Sequence, residues 1–186
     1  MTAVLKPVAM NAMLRRATEQ DAAAIAAVRV DSWRATYRGM IPDGYLDGMR
    51  LEDSTDLWTR VLSAHADNKT AVFVAETNGV VVGFAAGMLL DEEKFGLNAE
   101  LTAIYLQPAA QRAGLGRRLV AQVADIYREQ GASGLLVWVL AGNQAARKFY
   151  ERLGARLLIE QPFSWDGMDL LEAGYGWRDL SALASK

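Results

Sequence analysis

The alternation of apolar and polar residues divides this chain into short strands and amphipathic helices. Apolar runs rich in β-branched and aromatic residues predict strands, and apolar positions recurring every three or four residues predict helices. The predicted strands are residues 13–17, 70–77, 80–90, 100–106, 134–140, 155–159 and 168–176. The predicted helices are residues 22–37, 42–49, 51–64, 114–130 and 143–153, and residues 91–96 are predicted as a polar loop.

Turn and cap residues mark several of these boundaries. The segment Thr18 to Asp21 is typical of a capping box at the start of the first helix. Asn78-Gly79 predicts a type I′ turn between two antiparallel strands, and Gly154 predicts the end of the last helix. The run Leu135 to Leu140 is almost continuously apolar, which predicts a strand buried on both faces.

The order of these elements predicts the fold class. One strand, three helices and a β-hairpin are followed by a strand, a helix, a strand, a helix and two final strands. This order is typical of an α/β protein in which helices cover both faces of a mixed sheet. The 186 residues are enough for one domain with a sizeable core.

The stretch from Glu100 to Gly116 carries the main functional signal. A strand is stopped by Pro108, a short turn follows, and a glycine-containing segment opens the next helix. Free N–H groups in such a turn, together with the positive end of the helix dipole, form a site for a phosphate or diphosphate. Gly114 and Gly116 lack a Cβ atom, so a ligand can approach the backbone closely. A P-loop would need a Lys-Ser/Thr pair here, and a dinucleotide fingerprint would need a third glycine.

Two motifs in this half of the chain resemble one known family. The pattern Gln111-x-x-Gly114-x-Gly116 resembles the acyl-coenzyme A loop of the GNAT family of N-acetyltransferases, Q/R-x-x-G-x-G/A. The segment Asn143 to Gly154 is similar to the family's helix N-x-x-A-x-x-F-Y-x-x-x-G. Residues 32–42 are more loosely similar to the N-terminal segment of one subgroup.

The resemblance covers residues 13–178 and implies a single N-acetyltransferase domain over this range, with tails at residues 1–12 and 179–186. The implied fold is a mixed, mostly antiparallel sheet of about seven strands with helices on both faces. In this fold, the fourth and fifth strands splay apart. The implied activity is direct transfer of an acetyl group from acetyl-CoA to a primary amine of a small molecule, or of a peptide or protein N-terminus.

The resemblance also assigns a cofactor site. The residues expected to bind acetyl-CoA are Ile104, Leu106, Gln111, Arg112, Ala113, Gly114, Leu115, Gly116, Arg117, Asn143 and Ala146. The N–H of Leu106 is expected to face the thioester oxygen, where such a donor stabilises the developing negative charge. The side chains of Arg112, Arg117 and Arg118 either add positive charge beside the diphosphate or form a solvated helix face.

Two residues are candidates for proton transfer. Glu100 is the candidate general base that takes a proton from the amine, and Tyr150 is the candidate general acid for the sulfur leaving group. The alternative for Glu100 is a solvated or arginine-paired carboxylate, and the alternative for Tyr150 is a core tyrosine with an incidental hydroxyl. Asn143, Ala146 and Tyr150 share one helix face because they are spaced i, i+3, i+7.

The acceptor side is expected to include Trp33, Tyr37 and Trp138 as aromatic walls, although each of them could equally be plain core. Neither a strong acidic cluster nor a basic pocket is evident in the sequence, so the identity of the acceptor stays open. A homodimer is possible, because the final strands could pack against a second copy.

Composition narrows the remaining classes of function. The net charge is -2, which argues against a nucleic-acid partner, and neither a membrane-spanning run nor a signal peptide is evident. We therefore expect a cytoplasmic protein that needs no metal. The chain has no cysteine, which excludes an acyl-cysteine intermediate. His65, the one histidine, is interpreted as a residue near a helix C-terminus.

Two other functions stay open at this point. The same fold could bind acyl-CoA without turnover and act as a sensor or partner module. An unrelated α/β nucleotide-binding protein could use the same helix start, but neither of the common nucleotide fingerprints is complete.

Overall fold

The computed structural model describes residues 12–64 and 69–184. Its helices are α1 (Ala22–Thr36), α2 (Asp43–Gly48), α3 (Leu51–Ser63), α4 (Leu115–Glu129) and α5 (Gln144–Arg152). Its strands are β1 (Met13–Arg16), β2 (Thr70–Thr77), β3 (Val80–Lys94), β4 (Leu97–Leu106), β5 (Leu135–Leu140), β6 (Arg156–Trp165) and β7 (Met168–Trp177). His65 lies outside the described residues.

The seven strands form one sheet in the order β1-β2-β3-β4-β5-β7-β6. All neighbouring strands are antiparallel except β4 and β5, which run parallel. This confirms the predicted mixed, mostly antiparallel sheet. The parallel pair is at the centre, so the site-forming strands β4 and β5 each have a neighbour on their outer side.

Helices cover both faces of the sheet, as predicted. On one face, α4 and α5 bury their apolar sides in a core that includes Leu119, Val123 and Tyr150. On the other face, α1 and α3 cover the N-terminal half of the sheet through Ile25, Val28, Trp58 and other buried residues. Helix α4 follows the predicted stripe, because Leu115, Leu119 and Val123 are all buried.

Two predicted boundaries are wrong, and both errors concern long hairpins. Residues 91–96 are not a loop, because β3 continues to Lys94 and turns back at Phe95 and Gly96, which have φ angles of 56° and 73°. Glu100 is therefore the fourth residue of β4 and not its first. The sixth strand is also longer than predicted, since it continues from residue 159 to Trp165, and it meets β7 at a turn formed by Asp166 and Gly167.

The segment after β7, predicted as a tail, contains a 3₁₀ turn from Leu180 to Leu183. Leu180 and Leu183 are buried in the same core as α4. The packed part of the chain therefore extends beyond residue 178.

An ion-pair cluster connects β1 to the start of α1. The guanidinium of Arg15 donates to both carboxylate oxygens of Asp21 at 2.8 Å and to Glu76 at 2.8 Å. Asp21 also accepts a hydrogen bond from the N–H of Thr18, which completes the predicted capping box. The hydrogen bonds from Arg15 are the largest cause that lowers the pKa of Asp21, to about 2.

We predict that Asp21→Asn lowers the free energy of unfolding by about 2 kcal/mol at pH 7, because one pKa unit corresponds to 1.36 kcal/mol. The folded-state pKa lies below its usual value of 3.8, so this stabilisation is present above about pH 5 and is lost as the pH falls. Urea titrations at pH 7 and pH 3 should show that about half of the difference between wild type and variant disappears.

Asp125→Asn is the matched control, because Asp125 pairs with Arg128 on the surface at 3.0 Å. Such a pair contributes roughly 0–1 kcal/mol. A loss in Asp21→Asn that does not change with pH would contradict the role given to the carboxylate charge.

Candidate active site

The central parallel pair separates partway along its length. Pairing between β4 and β5 covers Ala99–Leu135, Glu100–Leu136 and Leu101–Val137, and it stops there. From Ala103 to Leu106, β4 stays paired with β3, while Trp138 to Leu140 stay paired with β7. The two strands therefore border a gap in the sheet, as predicted for the fourth and fifth strands.

The backbone of β4 directs donors into this gap. Gln107 donates its N–H to the carbonyl of Val82 in β3 at 2.9 Å, and Leu106 lies opposite Gly83. Backbone groups of an antiparallel strand point alternately to and away from the neighbouring strand. The N–H groups of Ile104 and Leu106 therefore point away from β3, toward the gap.

The loop between β4 and α4, the predicted anion-binding loop, presents free N–H groups at one end of the gap. After the 3₁₀ turn Pro108–Ala110, the chain passes through positive φ angles at Arg112 (63°) and Gly114 (78°). Within the described residues, none of the N–H groups of residues 112–117 donates a hydrogen bond. Residues 111–114 are exposed, so these donors and the start of α4 are accessible to a diphosphate.

Two residues of the loop motif hold it in place. The side chain of Gln111 donates from Nε2 to the carbonyl of Leu106 at 3.0 Å, which ties the loop to the end of β4. A Cβ atom on Gly116 would lie 3.2 Å from the ring of Phe149 and 3.3 Å from Leu106. The small size of Gly116 therefore serves the packing of α4 against β4 and α5, whereas Gly114 provides the positive φ angle.

The arginines near this loop differ in their surroundings. Arg118 donates to the backbone carbonyl of Ala12 at 3.1 Å, so it has a structural contact. Arg112 and Arg117 are exposed beside the free N–H groups. These two are the arginines available to a bound anion.

Helix α5 borders the gap on the β5 side. Asn143 is buried and caps the helix, since its Oδ1 accepts the N–H of Ala146 at 3.1 Å. Tyr150 is only 6% exposed, and its ring packs with Phe149, Tyr175 and Trp177. Its hydroxyl makes no hydrogen bond with any described residue, so Tyr150 combines a core ring with a free phenol.

Three tyrosines in this region are buried or partly buried, and two of their phenols meet. The hydroxyls of Tyr37 and Tyr105 are 3.3 Å apart. Burial raises the pKa of Tyr150, and the nearby Tyr105 raises it further. Burial also raises the pKa of Tyr37 and of Tyr105. All three hydroxyls therefore keep their protons at neutral pH and can act as donors.

Glu100 lies at the closed end of the gap, one residue before the last β4–β5 pair. Glu100 is partly buried and makes no ion pair within the described residues. For this part of the chain, the alternative in which Glu100 pairs with an arginine is therefore excluded. Burial is the largest cause that raises the pKa of Glu100; Lys94 lowers it and Glu172 raises it. A carboxylate with a raised pKa is closer to the range in which a general base works best.

An aromatic cluster stands beside the gap on the α1 side. The ring of Trp33 packs with those of Tyr37 (5.0 Å between centroids), Tyr105 (6.5 Å) and Trp165 (5.4 Å), and Trp165 packs with Tyr45 at 5.0 Å. The structure thus brings together two of the three predicted acceptor walls, Trp33 and Tyr37. The third, Trp138, packs instead with Phe95 at 6.2 Å and against Gly174.

The sequence interpretation missed Tyr45, Tyr105 and Trp165. Tyr105 could have been found from the two-residue period of β4, which places it on the face opposite Ile104 and Leu106. Tyr45 and Trp165 lie outside the two motifs. Trp165 reaches Trp33 and Tyr45 only because the β6–β7 hairpin folds toward α1 and α2.

The gap, its inward donors and the anion-binding loop define a class of protein, the acyltransferases that take their acyl group from an acyl-coenzyme A. The family model for the acetyltransferase (GNAT) family matches residues 28–155, and the chain belongs to this family. Acetyl-CoA is the cosubstrate of the family, and the protein is an enzyme that transfers an acetyl group to an amine.

Relatives of known sequence agree with this assignment. The chain is 38% identical over 171 residues to the uncharacterized N-acetyltransferase YuaI of Bacillus subtilis, covering 91% of this chain and 95% of YuaI. It is 32% identical over 92 residues to the L-methionine sulfoximine/L-methionine sulfone acetyltransferase of Salmonella typhimurium, which covers 49% of this chain and 53% of that protein.

Solved structures show the same fold. PaiA N-acetyltransferase from Thermoplasma acidophilum in complex with coenzyme A aligns with a TM-score of 0.72 and 20% identity, covering 88% of this chain and 98% of that one. YncA, a putative acetyltransferase from Salmonella typhimurium with acetyl-CoA, aligns with a TM-score of 0.65 and 23% identity, covering 90% and 94%. Among the helices of residues 12–64 and 69–184, none is long and apolar enough to cross a bilayer.

We predict that Gly114→Ala weakens acetyl-CoA binding about fivefold, because a left-handed conformation costs a non-glycine residue about 1 kcal/mol. Gly114 has a φ angle of 78° and no neighbour within 4 Å of a Cβ atom, so an added methyl group meets no clash and acts through the backbone conformation alone. Calorimetric titration with acetyl-CoA measures the effect.

Gly131→Ala is the matched control, since Gly131 also has a φ angle of 78° and open space, but it follows the other end of α4. Both variants should lose similar stability, and only Gly114→Ala should lose affinity. Equal affinities in the two variants would contradict the role of the loop.

Proposed function

We propose that this enzyme transfers the acetyl group in a ternary complex, directly from acetyl-CoA to a primary amine of a small molecule or peptide, with Glu100 as general base and Tyr150 as general acid. The observation that carries the proposal is the gap between β4 and β5. Unpaired N–H groups point into it, Glu100 lies at its closed end and the free phenol of Tyr150 lies beside it.

The residues present fit the cosubstrate. Acetyl-CoA supplies an activated thioester at the end of a long pantetheine arm that carries a diphosphate. The free N–H groups of residues 112–117 would hold the diphosphate, with Arg112 and Arg117 adding charge. The N–H of Ile104 would bind the arm as a neighbouring strand would. The side-chain oxygen of Asn143 is used for capping, so its amide nitrogen is the group left to donate to the arm, and the small Ala146 on the same helix face would let the arm pass.

The N–H of Leu106 is assigned the task of stabilising negative charge that develops on the thioester oxygen. It points into the gap and belongs to a strand held on its other side by β3, so the donor is fixed before the reaction begins. Removal of one such donor costs roughly 3 kcal/mol in other enzymes. A rigid backbone donor of this kind needs no reorganisation during the reaction.

Glu100 is assigned the removal of the proton that an amine carries at neutral pH. Partial burial raises its pKa, and no ion pair within the described residues holds its charge. Tyr150 is assigned the return of a proton to the sulfur. Its phenol stays protonated at neutral pH, and it has no other described hydrogen-bond partner to compete for that proton.

The cellular location is inferred from the cosubstrate. Acetyl-CoA is an intracellular metabolite, so we place the enzyme in the cytoplasm.

Trp33 and Tyr37, joined by Tyr105, are assigned to the wall of the acceptor site, whereas Trp138 stays a prediction. A homodimer also stays a prediction; Leu157 and Leu171, each 47% exposed on the β6–β7 hairpin, are the apolar residues that such an interface would cover.

We predict that Tyr150→Phe lowers kcat about 100-fold while acetyl-CoA affinity changes little, because general acid catalysis contributes at least this factor. The assay follows release of coenzyme A with amino acids, peptides, polyamines and aminoglycosides as acceptors. Release with any amine supports the enzyme; binding of acetyl-CoA without release across the panel would instead favour a sensor.

Tyr127→Phe is the control for loss of a buried phenol hydroxyl. Tyr127 is also buried, and its hydroxyl donates to the backbone carbonyl of Lys69 at 3.1 Å within the α4 core. This variant should lose stability and keep its kcat. An unchanged kcat in Tyr150→Phe would remove Tyr150 from the acid role.

We predict opposite shifts in the pH profile of kcat/KM when the charges around Glu100 change. A base works when deprotonated, so activity falls as the pH drops through its pKa. Glu172→Gln removes a charge that raises this pKa and should move the acid limb down by about 0.5 pH unit. Lys94→Met removes a charge that lowers it and should move the limb up by about as much.

All pH profiles of kcat/KM are measured with the same acceptor amine. The titration of that amine therefore contributes equally to the profile of the wild type and of each variant. Acid limbs that coincide in wild type and both variants would rule out Glu100 as the titrating base.

A further inference from the structure

A second opening lies next to the aromatic cluster and outside the β4–β5 gap. It is a cavity of about 540 Å³ between α1, α2 and α3, within the range of small-molecule sites. Its lining includes Arg29, Tyr45, Met49, Arg50, Leu57 and Arg60. Tyr45 belongs both to this lining and to the aromatic cluster, so the two spaces share a wall.

Arg29 is the most constrained cation of this cavity. It is partly buried, its guanidinium lies 4.7 Å from the ring centroid of Trp33, and Nη1 donates to Ser54 at 3.3 Å. No carboxylate lies within ion-pair distance of Arg29 among the described residues. A guanidinium has five N–H donors, so Arg29 keeps donors for an anion.

The other charges of the cavity do not neutralise Arg29. Arg50 is exposed and lies near Glu52 and Asp53 at 3.7 and 4.0 Å. Arg60 adds a further positive charge at the lining. With three arginines and one aspartate in the lining, the cavity favours an anionic group.

Arg29 is also close to the groups at the gap. Trp33 connects it to Tyr37, whose hydroxyl meets that of Tyr105. The charge of Arg29 lowers the pKa values of Tyr37, Tyr45 and Tyr105 against the larger rise caused by burial. Since Arg29, Trp33 and Tyr37 are spaced i, i+4, i+8, they follow one face of α1 toward the gap.

We propose that Arg29 binds an acidic group of the acceptor, so that the preferred acceptors are amines that also carry a carboxylate or a phosphate. This proposal rests on the proposed function, because it names the class of amine that the same site takes. The acidic group would lie in the cavity over Trp33, and the amine would extend along the aromatic cluster toward Glu100. Arg29 is thus a specificity-determining residue.

The first experiment measures binding without turnover. Protein saturated with coenzyme A, which has no acetyl group, is titrated calorimetrically with 6-aminohexanoate, 8-aminooctanoate, γ-aminobutyrate and phosphoethanolamine. Each is compared with its counterpart without the acidic group, which is 6-aminohexanamide, 8-aminooctanamide, 4-aminobutyramide or ethanolamine. We expect at least one acid to bind ten or more times more tightly than its counterpart, and the preferred acid identifies the carboxylate or the phosphate as the group bound.

Three variants complete the test. Arg29→Met keeps the apolar stem over Trp33 and should abolish the preference for the acid; Arg29→Lys should keep part of it. Arg128→Met, which removes a surface arginine at the end of α4, should leave it unchanged. The preference is a ratio within each variant, so a general loss of stability does not alter it.

The result that overturns the proposal is equal binding of acids and counterparts by the wild type, or a preference that survives in Arg29→Met. Absence of measurable binding by every acid at 10 mM overturns it as well. Turnover with acetyl-CoA is measured separately on the same pairs. Acetylation of the acids and of their counterparts without the acidic group at equal kcat/KM would overturn the inference alone, whereas acid binding without any release of coenzyme A would overturn the proposed function alone.

Discussion

The early end of the pairing between β4 and β5 is the constraint on which the rest of the site depends. A continuous sheet would use the N–H groups of Ile104 and Leu106 in its own ladder. Because pairing stops at Leu101–Val137, these donors stay free, and an unsatisfied buried donor costs about 1–3 kcal/mol. The fold tolerates this gap because β4 is still held by β3 and β5 is still held by β7.

The anion-binding loop and the gap are positioned by one packing contact. Leu106 ends β4, its carbonyl accepts from Gln111, and its side chain lies against Gly116 at the start of α4. The same glycine lies against Phe149, the neighbour of Tyr150 on α5. The free N–H groups at the helix start, the donor in the strand and the candidate acid are therefore linked through one small residue.

Local sequence signals predicted most of the fold and the loop that is proposed to hold the cofactor. Caps, glycines and hydrophobic period fixed the elements, because these effects act within a few residues. They failed at Asp91–Lys94, where four charged residues continue β3 and Lys94 alone of the four pairs with β4, opposite Leu97, because a charged stretch carries no apolar pattern. The proposed acceptor side was predicted only in part, because Arg29, Tyr45 and Trp165 have no shared motif and meet through tertiary packing.

The aromatic cluster beside α1 depends on the length of the β6–β7 hairpin. Ten-residue strands span about 33 Å, so β6 and β7 extend well beyond the sheet edge that five-residue strands would reach. Only with this length does Trp165, the last residue of β6, reach Trp33 on α1 and Tyr45 on α2. A shorter hairpin would leave the α1 side of the gap open to water. Since the hairpin tip closes that side, the shape of the proposed acceptor site depends on contacts between α1 and a strand near the other end of the chain.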